Sequence, residues 1–111
     1  MAVVNVVGAG VGGLACAIDL AAHGDTVEVF ERAAESGGKI RTLDVGGAPI
    51  NVGPSVLTLP WVFDELFAGA GASFRERVAV ERAEVVARHT WPDGLVLDLY
   101  DDTARSEAAI A

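Results

Sequence analysis

The sequence predicts an α/β fold that opens on a βαβ dinucleotide-binding half and continues into antiparallel β-hairpins. Three observations predict it. They are the β-branched run Ala2-Val3-Val4-Asn5-Val6-Val7, the turn Gly8-x-Gly10-x-x-Gly13 directly after it, and a second strand-like run, Thr26 to Phe30, closed by the acid Glu31.

The first run is almost unbroken in branched residues, as a strand covered on both faces of a parallel sheet reads. Gly8 permits a tight turn out of that strand, Gly10 has no Cβ to block a pyrophosphate, and Gly13 lets the next helix pack close to the sheet. Val11 and Gly12 open the helix. Its free amides and positive dipole end form an anion site that needs no charged side chain. Leu14, Ile18, Ala21 and Ala22 recur at helical spacing, and Gly24 stands where a left-handed cap would end the helix. Glu31 follows at about the twenty-residue distance at which an acid accepts hydrogen bonds from ribose hydroxyls. Its charge repels a 2′-phosphate, which disfavours NADP.

The chain has 111 residues, enough for one domain at most and fewer than a nucleotide-binding sheet usually takes. Sixteen acids against eight bases give a net charge of −8 with no basic cluster, so electrostatic attraction to nucleic acid or anionic lipid is not predicted. The single cysteine, Cys16, fits a reducing compartment and is expected to pack inside the first helix face. No metal-ligand spacing, hydrolase nucleophile elbow or Walker lysine is present. The N-terminus lacks a basic n-region, and its apolar run is too short for a signal core or a membrane span. A cytoplasmic protein is expected, with any membrane contact peripheral.

Arg32 to Arg41 is a polar loop in which Gly37-Gly38 precedes Lys39 and Arg41, a second phosphate-side signal. Ile40 to Val45 and Ala48 to Val52 read as a hairpin around Gly46-Gly47, and Gly53-Pro54-Ser55 breaks it. Pro60 starts a helix whose Trp61, Val62, Phe63, Leu66 and Phe67 form an apolar face ending near Gly69 to Gly71. That face reads as core or interdomain packing, or else as a surface for an apolar ligand or membrane. Ser73 caps a short helical turn through Arg77. Val78 to Val80 and Val85 to Thr90 then look like strand, and Trp91-Pro92-Asp93-Gly94 is a turn leading into Leu95 to Tyr100. Asp102 or Thr103 caps a last helix that has only begun at Ala111, so the sequence is expected to be a truncated portion of a longer one. His23, at a helix C-terminus, complements the dipole, and His89, next to Trp91, reads as a structural strand residue, or else as an acid/base or a substrate contact.

Val7-Gly8-Ala9-Gly10-Val11-Gly12-Gly13-Leu14, Phe30-Glu31-Arg32 and Gly37-Gly38-Lys39-Ile40-Arg41-Thr42 resemble the FAD-dependent amine oxidase and phytoene desaturase superfamily. Asn51 to Thr58, Trp61 to Phe67 and Ala87 to Gly94 are most similar to the bacterial hydroxyneurosporene and methoxyneurosporene dehydrogenases, which are 3,4-desaturases of acyclic 1-hydroxycarotenoids. The resemblance implies that residues 1–111 are the N-terminal portion of a Rossmann-like FAD-binding domain, with substrate-domain elements starting from about residue 56. It implies FAD as cofactor, an apolar polyene as substrate, and peripheral association with the cytoplasmic membrane, with neither nucleic acid nor metal as partner. By matching position, Gly8, Gly10, Val11, Gly12 and Gly13 approach the FAD pyrophosphate, Glu31 binds the adenosine ribose, and Arg32 lies beside it. Gly38, Lys39 and Arg41 line the pyrophosphate and flavin side, and Gly53, Pro54 and Ser55 pass near the isoalloxazine. No catalytic acid or base is named by the resemblance. Asn51 stands where the family usually carries an acid, which puts in doubt any contact needing a carboxylate there.

Three other functions remain open at this point. An amine or porphyrinogen oxidase would share the first two motifs, and a non-catalytic nucleotide-binding module would need only the βαβ half. A plain NAD-dependent dehydrogenase has no use for the Gly-Gly-Lys-x-Arg loop.

Overall fold

The computed structural model describes all residues, Met1 to Ala111, and divides them into two units, Met1–Val78 and Ala79–Ala111. The first unit opens with β1 (Val3–Val7), α1 (Val11–Ala22) and β2 (Thr26–Phe30). β1 and β2 pair in parallel, Val3 opposite Thr26 through Val7 opposite Phe30, which is the predicted βαβ half. α1 ends as expected: Gly24 takes φ +94, its amide donates to the Ala21 carbonyl (3.0 Å), and the Asp25 amide donates to that of Leu20 (3.2 Å). This is a Schellman termination, open to glycine because a Cβ disfavours positive φ.

Side chains alternate across β1. Val4 and Val6 are half-buried on one face, while Val3, Asn5 and Val7 are exposed on the other, so this chain covers one face of the strand rather than the two its composition predicts. Within α1, Ala17, Ile18 and Leu20 are half-buried, whereas Leu14, Ala21 and Ala22 are exposed. Cys16 is exposed too, contrary to expectation, because its helical position lies off the packed stripe.

β3 (Thr42–Val45) and β4 (Ala48–Asn51) form the predicted hairpin, pairing Thr42 with Asn51 and Val45 with Ala48. Gly46 (φ +64) and Gly47 (φ +87) make the two-residue turn, whose doubly positive φ favours glycine at both places. The strand starts at Thr42 rather than Ile40, because the Ile40 amide turns back to the Gly37 carbonyl (3.1 Å). α2 (Pro60–Gly69) has proline in its first turn and ends in a second Schellman arrangement at Gly71 (φ +71). α3 (Phe74–Arg77) follows, with Ser73 Oγ accepting from the Glu76 amide (3.4 Å). Phe74 is buried, stacked on Phe63 (centroids 5.3 Å apart) and edge-on to Phe67 (5.4 Å). Arg75 clamps Asp64 through two bonds of 3.0 Å, fixing α3 to α2. Val78 caps α3 in an extended conformation, but Val78 to Val80 form no strand, since no neighbouring strand pairs with them.

In the second unit, β5 (Val85–Thr90) and β6 (Val96–Tyr100) pair antiparallel through a turn at Trp91-Pro92-Asp93-Gly94, where Gly94 takes φ +88. Trp91 and Leu95 close it by a 3.0 Å backbone bond, so strand pairing resumes at Val96. α4 (Thr103–Ile110) is capped by Asp102, whose Oδ1 accepts from the Arg105 amide (2.8 Å). Ser106 Oγ accepts from the Tyr100 amide (2.9 Å) and Arg105 lies over the Tyr100 ring (4.0 Å), which ties the helix to β6. Across the strands, Asp98 holds Arg88 bidentately at 2.6 and 2.7 Å, and that guanidinium keeps the Asp98 carboxyl below the usual carboxylate range. His89 pairs with Leu97 on the exposed hairpin, its ring 6.0 Å from that of Trp91. No helix is long and apolar enough to cross a membrane.

Candidate dinucleotide site

The strand-to-helix turn is built from glycines with separate duties. Gly8 takes φ +98, and its amide donates to the Phe30 carbonyl (2.7 Å), locking the turn onto β2. A Cβ on Gly13 would stand 1.9 Å from the Gly8 carbonyl oxygen and 3.5 Å from Val6 Cγ1, so only glycine lets α1 start this close to β1. The first helical bond runs from the Leu14 amide to the Gly10 carbonyl (2.9 Å). The amides of Val11, Gly12 and Gly13 therefore precede the ladder, no side chain caps them, and no acid lies in the first turn. Such a donor set suits a pyrophosphate.

The second glycine loop docks on the first. The Gly37 amide donates to the Ala9 carbonyl (2.8 Å), and Gly10 and Gly37 form a parallel β-bridge. A Cβ on Gly38 would come 3.0 Å from Gly10 Cα, so the two loops touch backbone to backbone. Gly53 closes the arrangement from the far end of the hairpin, where a Cβ would stand 2.0 Å from the Lys39 carbonyl oxygen. The Val52 amide donates to Arg41 (3.0 Å) alongside it.

These contacts enclose two clefts. The larger, of about 670 Å³, includes Gly10, Val11, Gly12, Gly38, Lys39, Pro54 and Ser55 in its lining. The smaller, of about 400 Å³, is lined by Gly38, Lys39, Arg41, Val52, Gly53 and Pro54. The structure thus gathers Gly10, Val11, Gly12, Gly38, Lys39, Arg41, Gly53, Pro54 and Ser55 around adjoining space. Gly8 and Gly13 stand behind as supports.

Glu31 lies outside both clefts, and its carboxylate braces the turn. Oε2 accepts from the Ala9 amide (2.7 Å) and Oε1 from the Ala33 amide (2.9 Å). The Ala33 and Ala9 amides hold the Glu31 carboxyl below the usual range, with the adjacent Arg32 guanidinium adding to the effect. Two carboxylate oxygens offer about four acceptor positions, so each keeps room for a ligand hydroxyl. Arg32 is exposed beside it. Asn51, on the hairpin, accepts from Thr42 Oγ1 (3.0 Å) and does not line either cleft.

Sequence reasoning missed part of the lining. Val56, Leu57, Leu59, Val62 and Phe63 also line the larger cleft. Only Val62 and Phe63 belonged to a recognised apolar stripe. The available signal was the density of branched aliphatic residues in an irregular segment, where neither a helix nor a strand would bury them.

Among known proteins, this chain is 47% identical over 108 residues to a hydroxyneurosporene desaturase of Rubrivivax gelatinosus, covering 96% of this chain and 21% of that protein. It is 40% identical over 99 residues to a 4,4'-diapolycopene oxygenase of a Methylomonas species, covering 89% of this chain and 20% of that protein. The chain spans about a fifth of the length of the curated relatives it matches. Among solved structures, an oxidoreductase from Methanosarcina mazei shares the fold, with a TM-score of 0.54 and 23% identity over 91% of this chain and 25% of that one. Residues 6–70 match the model of the NAD(P)-binding Rossmann-like domain, well over half of the 111 residues, so the chain belongs to that family of dinucleotide-binding domains.

Proposed function

We propose that this chain is the FAD-binding N-terminal portion of a flavin-dependent oxidoreductase that desaturates an acyclic hydroxycarotenoid at a membrane surface. The observation that carries the reading is the bond from the Gly37 amide to the Ala9 carbonyl, which seats a Gly-Gly-Lys loop against the phosphate-side turn. A plain NAD-binding half has no use for that second loop. The likeness to a hydroxyneurosporene desaturase supports the substrate class.

In this reading the amides of Val11, Gly12 and Gly13 hold the pyrophosphate, and Lys39 and Arg41 offset its charge. Glu31 accepts from the adenosine ribose with the acceptor positions that Ala9 and Ala33 leave free, and Arg32 lies beside that end. Gly53, Pro54 and Ser55 lie along the ring end, and elements from about residue 56 onward belong to the substrate side. The chemistry FAD supplies when bound is acceptance of two electrons, as hydride from an allylic carbon, while a proton leaves the adjacent carbon and a double bond forms. A long apolar substrate dissolves in bilayers, which favours peripheral membrane association.

The 40% identity to a 4,4'-diapolycopene oxygenase favours a second reading, oxygen insertion on a carotenoid. The test is turnover of a hydroxylated acyclic carotenoid in detergent by the native protein. A product two hydrogens lighter with one more conjugated double bond supports desaturation. A product heavier by oxygen supports the second reading, and turnover of an amine alone contradicts both.

A further inference from the structure

Ala9 is buried, and both of its backbone groups bond outside the turn. Its amide donates to Glu31 Oε2 (2.7 Å), and its carbonyl accepts from the Gly37 amide (2.8 Å). The same carboxylate accepts from the Ala33 amide on Oε1 (2.9 Å). The result is a closed ring of bonds: Glu31 to Ala9, Ala9 to Gly37, and back along the chain through Ala33. Between the fastened ends, Arg32 to Ser36 are exposed and irregular. The Glu31 carboxylate is the one side chain in that ring, and both of its oxygens are used because each meets an N–H. Beyond the ring there is no slack, since a Cβ on Gly38 would come 3.0 Å from Gly10 Cα. A shift of Ala9 therefore changes how the second loop meets the turn.

We infer that Glu31 is a positioning residue for the second glycine loop, acting through Ala9 to set where Gly37, Gly38 and Lys39 stand against the phosphate-side turn. This goes beyond the ribose contact proposed for Glu31, and it rests on the proposed function only for the ligand, a dinucleotide. A ribose hydroxyl needs one acceptor, which the amide of a glutamine would also supply. Two N–H donors converging on one side chain need two acceptor oxygens, and only a carboxylate has them. An exposed, irregular loop has little packing of its own, so the bonds at its ends decide where it sits.

The test uses the native protein freed of nucleotide, as wild type, Glu31→Gln, Gly37→Ala and the double variant. Gly37→Ala displaces the loop directly, because φ +122 disfavours alanine and its Cβ would stand 2.5 Å from the Ile40 carbonyl oxygen. Hydrogen exchange and the affinities for inorganic pyrophosphate and for adenosine are read on each. In Glu31→Gln, exchange at the Gly37 amide should quicken about tenfold more than at Ile18 and Leu20 inside α1, as for the loss of a bond to a charged group. Pyrophosphate affinity should fall about tenfold as well, although removing a negative charge would by itself raise it. Once Gly37 is replaced, Glu31→Gln should lower pyrophosphate affinity by less than about twofold further, because both act through one loop. Exchange at Gly37 that is unchanged, or that quickens no more than inside α1, overturns the inference, as does failure of Glu31→Gln to fold, which assigns the side chain to overall stability. Additive losses in the double variant overturn it too. Adenosine affinity that is unchanged in Glu31→Gln contradicts the ribose contact and leaves the positioning role standing, so the two failures are distinct.

Discussion

Gly13 lies so close under Gly8 that a methyl group at its Cα would be 1.9 Å from the Gly8 carbonyl oxygen. The strand-to-helix turn therefore depends on the absence of one carbon atom. Gly13→Ala is expected to cost about 3 kcal/mol, the upper range of overpacking, or to prevent folding, as measured by denaturant unfolding. Gly12→Ala is the contrasting variant, because nothing lies within 4 Å of its Cβ position. It should fold normally and lose dinucleotide affinity, since the new methyl stands where the phosphates approach.

Gly53 and Lys39 give a second prediction. Gly53→Ala would put a carbon 2.0 Å from the Lys39 carbonyl oxygen and push the Gly37-Gly38-Lys39 loop away from the helix N-terminus. Hydrogen exchange should quicken at the Gly37 amide, which is now protected by the Ala9 carbonyl, and dinucleotide affinity should fall at least tenfold. Unaltered exchange at Gly37 would show that Gly53 does not position the loop.

The local half of the architecture was legible in the sequence. Gly24, Gly71, Gly46-Gly47 and Gly94 each marked an end or turn, because positive φ is a local property that residue type reveals. The β1–α1–β2 order followed from period and spacing in the same way. The meeting of Gly10 with Gly38, and of Gly53 with Lys39, was not legible as contact, since it joins segments far apart in the chain whose local patterns do not encode each other. Cys16 and the Val78 to Val80 run failed for the same reason. Burial and strand pairing depend on what lies opposite.

Glu31 gives a pH prediction. Its carboxyl is held below the ordinary glutamate value, about 4.3, first by the Ala33 amide and then by that of Ala9. A carboxylate with a lowered folded pKa adds stability that is fully present above its unfolded value and is lost as pH falls through the folded one. An NMR titration should find Glu31 protonating below the ordinary glutamate range. In Glu31→Gln the amide group must turn its NH2 toward one of two N–H donors, so that variant should lose stability at neutral pH and lose its difference from wild type as the pH falls through the folded value.

The aromatic cluster of α2 and α3 gives a stability prediction. Phe74 is buried between Phe63 and Phe67. Phe74→Ala should cost about 3–5 kcal/mol in chemical denaturation, the range for truncating a buried ring. A loss under 1 kcal/mol would show that α3 contributes little to the first unit.

The central claim is that the turn from Gly8 to Glu31 and the loop from Gly37 to Arg41 hold one FAD. The most direct measurement is the absorption spectrum of the native protein, followed by identification of the nucleotide released on denaturation. The account predicts flavin bands and about one FAD per protein, lost in Gly53→Ala. A colourless protein, or one that releases NAD(P), would contradict it.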